Sequence, residues 1–361
     1  MKLVTIVGAR PQFIKAALIS RALCAHNASR PDRIEEFLLH TGQHYDENMS
    51  DIFFRTLGIP QPTWRLKGGS GSHGEMTGRM LIEIEPILSA ARPDWVLVYG
   101  DTDSTLAGAL AASKLHIPVI HVEAGLRSFN KRMPEEINRI LTDQIAQLLC
   151  CPTSAAVQNL ANEGITQGVH QVGDVMYDAA LLFEKVADQT SVILNQLQVA
   201  SKHFHLCTVH RAENTDNEGR MKQILEAIQA IGTKAFPVVL PLHPRTRIRL
   251  EKYNLLDSLT RHAGIRLLPP IDFLDMIQLE KHAATILTDS GGIQKEAYFY
   301  RTPCITLREE TEWVETVEAG WNQIAGYQAG QILNCLENTP ARKEIYEYGT
   351  GHAAEKIIAL L

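Results

Sequence analysis

Short apolar runs alternate with amphipathic stretches along most of the chain, and this alternation limits the possible folds more than any other feature of the sequence. Each run is followed by a loop and then by a stretch with helical periodicity. Strands that alternate with helices in this way favour parallel sheets covered by helices on both faces. The predicted strands are Leu3–Val7, Phe37–His40, Trp95–Tyr99, Val119–Val122, Leu148–Cys151, His205–Val209, Val238–Leu242, Ile265–Leu268, Thr285–Thr288 and Cys304–Leu307.

The alternation occurs in two series, which a polar stretch near 173–195 separates. A chain of 361 residues also has room for two hydrophobic cores. We therefore predict an α/β protein of GT-B type, with two Rossmann-like, doubly wound domains that face an interdomain cleft. The first domain spans 1–172 together with a C-terminal helix at about 346–361, and the second spans 173–345. Ligands of such sheets bind beyond the carboxyl ends of the strands, so the loops that follow strands are the candidate sites.

Composition excludes several classes of partner. The net charge of -6 gives no overall attraction to nucleic acid or to an anionic membrane. Because the sequence has no cleavable leader and no run of about eighteen apolar residues, we predict a soluble, cytoplasmic protein that binds no membrane. The six cysteines form no disulfide-like pattern, and the histidines show no metal-ligand spacing. We expect reduced thiols and no metal.

The run from Ile286 to Ala297 has the pattern of a buried strand, a tight turn and a helix start. Ser290 can cap the helix, while Gly291 and Gly292 let backbone N–H groups approach a ligand closely. A helix N-terminus favours anions such as phosphate. Glu296 falls about one and a half turns into the helix, where its carboxylate can accept both hydroxyls of a ribose. A capped turn that binds no ligand would use the same residues, so the residues at the other strand ends must distinguish the two interpretations.

Two carboxylates follow neighbouring strands of the first domain. Asp101 comes shortly after Trp95–Tyr99, and Glu123 comes directly after Val119–Val122. Asp101 also suits a plain helix cap, whereas an acid directly after a buried strand has less structural reason to be there. The carboxyl ends of parallel strands meet at one edge of a sheet, so both acids are predicted to lie at that edge.

Cations and further acids lie near helix starts of the first domain. Arg10 and Lys15 belong to the first helix, whose N-terminal end attracts anions, although solvated helix-end charges are the alternative. Glu135 and Arg139 are spaced i, i+4 on a helix opened by Pro134. They belong either to a site or to an ordinary surface ion pair.

Polar groups also follow strands of the second domain. His210 and Arg211 come directly after His205–Val209, and His243 comes after the next strand. A histidine and an arginine at a strand end are typical of a phosphate or proton-transfer site, although a structural histidine is the alternative. Phe273 is positioned either to pack near a base ring or to fill the core.

The chain resembles the non-hydrolysing UDP-N-acetylglucosamine 2-epimerases. The matching motifs run in order over nearly the whole chain: GARPQFIK, HTGQHYD, EMTGRML, YGDTDST, HVEAGLRS, MPEEINR, VGDVMYD, TVHRAEN and LTDSGGIQKEA. The resemblance implies GT-B architecture, a homodimer, and interconversion of UDP-GlcNAc and UDP-ManNAc for polysaccharide precursors. It further implies catalytic roles for Asp101, Glu123, Glu135 and His210, with support from Arg139, and nucleotide contacts from Arg10, Ser290, Gly291, Gly292 and Glu296. Gln43 and His44 match part of an allosteric site of some members, from which Asp46 departs.

The chemistry explains why several acids are needed. The hydrogen on C2 of an N-acetylhexosamine is not adjacent to a carbonyl group, so its removal must be coupled to departure of UDP from C1. This elimination makes C2 planar in a glycal, and re-addition with a proton on the other face inverts it. Proton-transfer groups are required on both faces, and Arg10, His210 and the Ser290–Gly292 amides are suited to hold the departing diphosphate. The reaction needs no NAD, no other cofactor and no metal.

Other functions stay open from the sequence. Trp313 replaces a cation found in well-known UDP-GlcNAc enzymes, and the segments around it look similar to the branch that epimerises UDP-2,3-diacetamido-2,3-dideoxy-glucuronic acid for O-antigen-type polysaccharides. A hydrolysing epimerase would release free sugar and UDP. A GT-B glycosyltransferase would need an acceptor, and a nucleotide-sugar sensor would bind without turnover.

Overall fold

A computed structural model describes residues 1–43, 60–69 and 71–361, with Arg10 described by its backbone alone. These residues divide into two compact units, Met1–Ala179 with Tyr346–Leu361, and Ala180–Ile345. Each unit is built on a parallel β-sheet with helices between its strands. The predicted α/β fold with two Rossmann-like sheets is confirmed, whereas the predicted domain limits and the interdomain cleft stay predictions.

Parallel strands form the sheet of the first unit. In the described ranges they are β1 (Lys2–Val7), β2 (Glu35–His40), β3 (Trp64–Arg65), β4 (Trp95–Tyr99), β5 (Val119–Val122), β6 (Leu148–Cys151) and β7 (Val169–Gln171). Their order across the sheet is β3-β2-β1-β4-β5-β6-β7. The order changes direction between β1 and β4, and such a switch point is where ligands of doubly wound sheets bind.

Helices cover both faces of this sheet. Those described are α1 (Arg10–Ser29), α2 (His73–Ala91), α3 (Asp103–Lys114), α4 (Pro134–Ile145), α5 (Ser154–Asn162) and α6 (Val175–Thr190), which continues into the second unit. Local sequence explains their starts, since Thr102 and Thr153 cap α3 and α5 through side chains that accept backbone N–H groups. The C-terminal helix, Ala353–Ile358, packs against α1.

The second unit repeats the same design. Its described strands are β8 (His205–Thr208), β9 (Val238–Pro241), β10 (Ile265–Leu268), β11 (Thr285–Thr288), β12 (Cys304–Thr306) and β13 (Asn322–Ile324), in the order β10-β9-β8-β11-β12-β13. The described helices are α7 (Ile193–Leu197), α8 (Ala212–Thr215), α9 (Glu218–Ile231), α10 (Pro244–Lys252), α11 (Leu256–Arg261), α12 (Phe273–His282), α13 (Gly291–Phe299), α14 (Val314–Glu318) and α15 (Ala329–Glu337). The switch point lies between β8 and β11.

Alternate residues of the central strands enter different cores. In β11, Ile286 packs with Leu206 and Val239 on one face of the sheet, while Leu287 packs with Cys207 on the other. Both faces are therefore buried, which is why these strands read as continuous apolar runs. No helix within the described part of the chain is long and apolar enough to cross a bilayer.

Candidate active site

Glu123 follows β5 directly and forms a buried ion pair. Its carboxylate accepts a hydrogen bond from the Lys15 ammonium group, and both side chains are almost inaccessible to solvent. Lys15 was predicted as a substrate-binding cation, and in the structure its charge is compensated by Glu123. The backbone of Glu123 has a φ of +71°, a left-handed conformation that costs a non-glycine residue about 1 kcal/mol or more. The fold therefore holds this acid in a strained, charge-compensated position.

Gly100 leaves the space that this ion pair occupies. Its φ is +63°, and a Cβ atom there would lie 3.3 Å from Oε2 of Glu123 and 3.6 Å from Nζ of Lys15. A glycine thus gives both the left-handed turn at the end of β4 and the close approach of the β5 acid.

Asp101 lies beside Gly100 and pairs with Arg139. The guanidinium donates to Oδ2 of Asp101 at 2.5 Å, and 34% of the Asp101 side chain remains accessible. Burial of the carboxylate raises the pKa of Asp101, and the positive charge of Arg139 opposes this shift. The carboxylates of Glu135 and Glu123 raise this pKa further. The three acids predicted to be catalytic are therefore electrostatic neighbours at one edge of the sheet.

Arg139 is buried and belongs to the interior of this cluster. Its guanidinium donates to Oε2 of Glu136 at 2.9 and 3.0 Å in addition to its bond with Asp101. Glu136 also accepts the backbone N–H groups of Ser128 and Phe129, each at 2.9 Å. The alternative of a solvated surface pair is wrong for Arg139, because the guanidinium orients Asp101 from below the surface. Glu135 is half-buried at the start of the same helix.

In the second unit, Asp289 organises the loops at the switch point. This fully buried acid follows β11, and its carboxylate accepts the backbone N–H groups of His210 and Arg211 at 3.0 Å and the Asn214 amide at 3.1 Å. Nδ1 of His210 is 3.3 Å from the same carboxylate. Asp289 therefore holds the strand-end loop that carries His210.

The surroundings of His210 disfavour the protonated form of its imidazole. Desolvation lowers the pKa of its imidazole, Asp289 opposes that shift, and the cations Arg211 and Arg245 reinforce it. His243 lies alongside, with the two ring centres 5.8 Å apart. His243 also caps α10, since its Nδ1 accepts the N–H of Arg245 at 3.2 Å. Both predicted histidines thus lie together at the ends of β8 and β9.

The glycine turn after β11 has the form expected of an anion site. Ser290 caps α13, accepting the N–H of Ile293 at 3.5 Å. Gly292 is exposed, and a Cβ atom there would meet only the Ser290 hydroxyl, at 3.9 Å. Gly291 is tightly enclosed, since its Cβ would lie 2.3 Å from the Glu312 carboxylate and 3.8 Å from the Arg211 guanidinium. The turn thus brings Arg211 beside a helix N-terminus with open space above it.

The remaining predicted residues differ in their placement. Glu296 is half-buried in α13. Phe273 packs edge-on against Phe183, with ring centres 5.5 Å apart. Gln43 accepts the backbone N–H of Ser104 at 3.1 Å and its hydroxyl at 2.5 Å, at the start of α3. His44 and the side chain of Arg10 lie outside the described residues.

Two functional candidates, Gln12 and Asp289, escaped the sequence analysis. Gln12 accepts the N–H groups of Gly8 and Ala9 and donates to the Tyr99 carbonyl at 2.8 Å, so it connects the loops after β1 and β4. Asp289 has the corresponding task in the second unit. Both residues lie inside the motifs GARPQ and TDSGG, and their position next to a strand end was the available signal. In the described part of the chain, no three His, Cys, Asp or Glu side chains are placed to hold a metal ion.

Known proteins resemble this chain over its whole length. Residues 26–361 match the family model of UDP-N-acetylglucosamine 2-epimerase. A UDP-N-acetylglucosamine 2-epimerase homolog from Methanococcus maripaludis is 50% identical over 364 residues, which cover 100% of this chain and 99% of the relative. The UDP-2,3-diacetamido-2,3-dideoxy-D-glucuronate 2-epimerase of Pseudomonas aeruginosa is 48% identical over 368 residues, with the same coverage. The crystal structure of Methanocaldococcus jannaschii UDP-GlcNAc 2-epimerase in complex with UDP-GlcNAc and UDP is similar with a TM-score of 0.91 and 44% identity, covering 100% of this chain and 99% of that one.

Proposed function

The chain belongs to the UDP-N-acetylglucosamine 2-epimerase family, and from this premise we propose that it inverts C2 of a UDP-linked 2-acetamido sugar without hydrolysing it. The resemblance drawn from the motif series and the assignment to the isomerases are confirmed. The observation that carries the proposal is the grouping of Asp101 and Glu123, at the ends of β4 and β5, and Glu135, at the start of α4, with the cations Lys15 and Arg139.

The first unit supplies the proton-transfer groups in this proposal. One carboxylate removes the C2 proton, the C–H electrons form the C1–C2 double bond, and the C1–O bond electrons leave with UDP. The reverse step returns a proton to the other face of C2 as UDP attacks C1. Acids held in different environments suit the two tasks, because one must accept a proton while another donates one. The raised pKa of Asp101 favours its protonated form, which can donate a proton.

The second unit supplies the nucleotide contacts. The amides at the start of α13, with Ser290, Gly291 and Gly292, are suited to a diphosphate. Arg211 lies against Gly291, and His210 lies at the neighbouring strand end. A diphosphate bound there favours protonation of His210, which then donates a hydrogen bond to the leaving oxygen. Glu296, farther along α13, is the proposed partner of the ribose.

Removal of a single proton-transfer group tests the proposal. We expect Glu123→Gln to bind UDP with unchanged affinity and to lose about 100-fold or more of kcat, since it keeps the shape and deletes the proton acceptor. The matched control is Glu85→Gln on the exposed face of α2. Turnover in D2O is followed by NMR, and the product is expected to carry deuterium at C2. Retention of the original hydrogen would refute elimination and re-addition, and release of free sugar would indicate a hydrolysing enzyme instead.

A second candidate substrate is UDP-2,3-diacetamido-2,3-dideoxy-glucuronic acid. It is favoured by the identity to the Pseudomonas aeruginosa enzyme and by Trp313, whose ring lies 4.4 Å from the Lys295 ammonium. Both side chains are buried, so Trp313 stacks on a cation, within a segment whose sequence resembles that branch of the family. Product NMR with the two sugars side by side, at equal concentration, decides between them by the ratio of kcat/KM.

We also propose that the enzyme is a cytoplasmic homodimer. Ile137 and Leu141 lie one turn apart on α4 and are 45% and 46% exposed, and Phe129, in the preceding loop, is 77% exposed. Exposed apolar residues grouped in this way mark an interaction surface. Light scattering after gel filtration is expected to give twice the chain mass for the wild type and a monomer for Leu141→Glu. A monomeric wild type at micromolar concentration would refute the dimer.

A further inference from the structure

A buried histidine–carboxylate pair lies beneath the two strand ends that carry Asp101 and Glu123. His121, the third residue of β5, is fully inaccessible, as is the side chain of Asp143 on α4. Nδ1 of His121 lies 2.6 Å from Oδ1 of Asp143, and its Nε2 lies 2.7 Å from the carbonyl oxygen of Gly100. The histidine thus joins α4 to the residue immediately before Asp101.

Both ring nitrogens of His121 face acceptors. A carbonyl oxygen and an ionised carboxylate can only accept, so each ring nitrogen that carries hydrogen donates to one of them. Asp143 is ionised: burial acts to raise its pKa, but the charges and hydrogen bonds of His121 and Arg127 outweigh burial and lower it. The contact of His121 with the ionised Asp143 carboxylate is therefore charge-assisted, which makes it short and directional.

The other oxygen of Asp143 holds the turn that follows Glu123. Its Oδ2 accepts the backbone N–H of Gly125 at 3.0 Å and the Arg127 guanidinium at 2.7 Å. Glu123 and Gly125 have φ values of +71° and +79°, so the turn contains a strained non-glycine residue that persists only if its surroundings fix it. Arg127 completes the network through a two-point ion pair with Glu163, with both contacts at 2.7 Å.

We propose that His121 and Asp143 are positioning residues for epimerisation. His121 fixes the carbonyl group before Asp101, and Asp143 fixes the amide two residues after Glu123, so one hydrogen-bonded pair sets the spacing of two proton-transfer acids. The inference rests on the proposed function. Neither residue is accessible to substrate, so both act through the backbone. A displacement of about 1 Å in a reacting group costs about 100-fold in rate, which is the effect that this pair prevents.

The test compares isosteric variants of the pair. Asp143→Asn keeps the shape but has one acceptor oxygen where Asp143 has two, so it cannot accept from His121 and from the Gly125 and Arg127 donors together, and it removes the negative charge that faces the Arg127 guanidinium. We expect kcat to fall by about 100-fold while the dissociation constant of UDP changes less than about threefold. His121→Gln keeps an amide donor that can reach the Gly100 carbonyl, whereas His121→Leu has none. We expect kcat to be about tenfold higher for His121→Gln than for His121→Leu.

Glu163→Gln is the matched control. It weakens the ion pair at the far end of the same network, and Glu163 contacts neither strand end through its described bonds. Its thermal midpoint is expected to fall while kcat stays unchanged. An unchanged kcat in folded Asp143→Asn would overturn the inference. It would also be overturned if, in all four variants, the loss of kcat were proportional to the drop in thermal midpoint. If Asp143→Asn does not fold, the ratio of kcat between His121→Gln and His121→Leu tests the inference instead. Absence of wild-type turnover would instead refute the proposed function, and this inference with it.

Discussion

Gly100 gives the sharpest test of how closely the ends of β4 and β5 are fitted together. A Gly100→Ala substitution adds one methyl group at a position with a φ of +63°. The new Cβ would lie 3.3 Å from Oε2 of Glu123 and 3.6 Å from Nζ of Lys15. The second distance is an ordinary van der Waals contact, whereas the first requires the carboxylate to move by a few tenths of an ångström.

Two costs follow from this geometry, and they can be separated. Placing alanine in the left-handed region costs about 1–2 kcal/mol, which corresponds to about 2–4 °C in thermal midpoint for each kcal/mol in a unit of this size. Displacing Glu123 adds little to that loss, but it moves a proposed proton-transfer group. Because about 1 Å of misplacement costs about 100-fold in rate, we expect kcat to fall by about tenfold.

Gly164→Ala is the control for the backbone cost alone. Gly164 has a φ of +81°, and a Cβ atom there would meet nothing within 4 Å. Calorimetry is expected to show a similar drop in thermal midpoint for both variants, and a coupled assay of epimerisation is expected to show a loss of kcat in Gly100→Ala only. Full activity in Gly100→Ala, or an equal loss in the two variants, would refute the assigned fit between Gly100 and Glu123.

Two further predictions concern pH. Burial raises the pKa of Asp178 from 3.8 to about 6, although its carboxylate accepts the N–H of Ala354 at 2.8 Å. The folded state therefore binds this proton more tightly than the unfolded chain does. As a result, the free energy of unfolding falls as pH rises from about 4 to about 6. Asp178→Asn is expected to be more stable than the wild type by up to about 3 kcal/mol above this range, and urea titrations in which the difference does not change between pH 4 and 7.5 would contradict the assignment. Since desolvation lowers the pKa of His210, UDP binding near pH 7 is expected to take up a proton and to weaken as pH rises. Calorimetry in two buffers of different ionisation enthalpy measures this uptake, which His210→Gln should abolish; equal heats for the wild type would exclude His210 as a diphosphate contact.

The central strands could be predicted because burial on both faces leaves a continuous apolar run. Three of the described edge strands could not, whereas the fourth, β10 (Ile265–Leu268), was predicted. Trp64–Arg65 is a strand of two residues with one neighbour, and Val169–Gln171 and Asn322–Ile324 also lie at sheet edges. A strand with one open side needs fewer apolar residues, so it loses the pattern by which buried strands are recognised.

The positions of the site residues followed from sequence, but their partners did not. A loop that follows a parallel strand lies at the carboxyl edge of the sheet, whichever residues it contacts. This rule alone predicts that Asp101 and Glu123 lie at that edge. Lys15 and Glu123 are 108 residues apart, and only the folded sheet brings them together. Helical spacing could not link Arg139 to Asp101, which lies 38 residues away along the chain. Because Arg139 is buried, its charge requires close compensation from several sides, and Glu136 and Asp101 provide it.

The two units close their switch points with the same physical device, although they use different side chains. In the first unit, Gln12 follows β1 and donates to the Tyr99 carbonyl at the end of β4. In the second unit, Asp289 follows β11 and accepts the amides of His210 and Arg211 after β8. Each side chain connects the two strand ends between which a ligand of a doubly wound sheet binds. A loop held by a buried side chain is already ordered before a ligand binds. The entropy cost of ordering these loops therefore reduces the free energy of folding and not the free energy of binding.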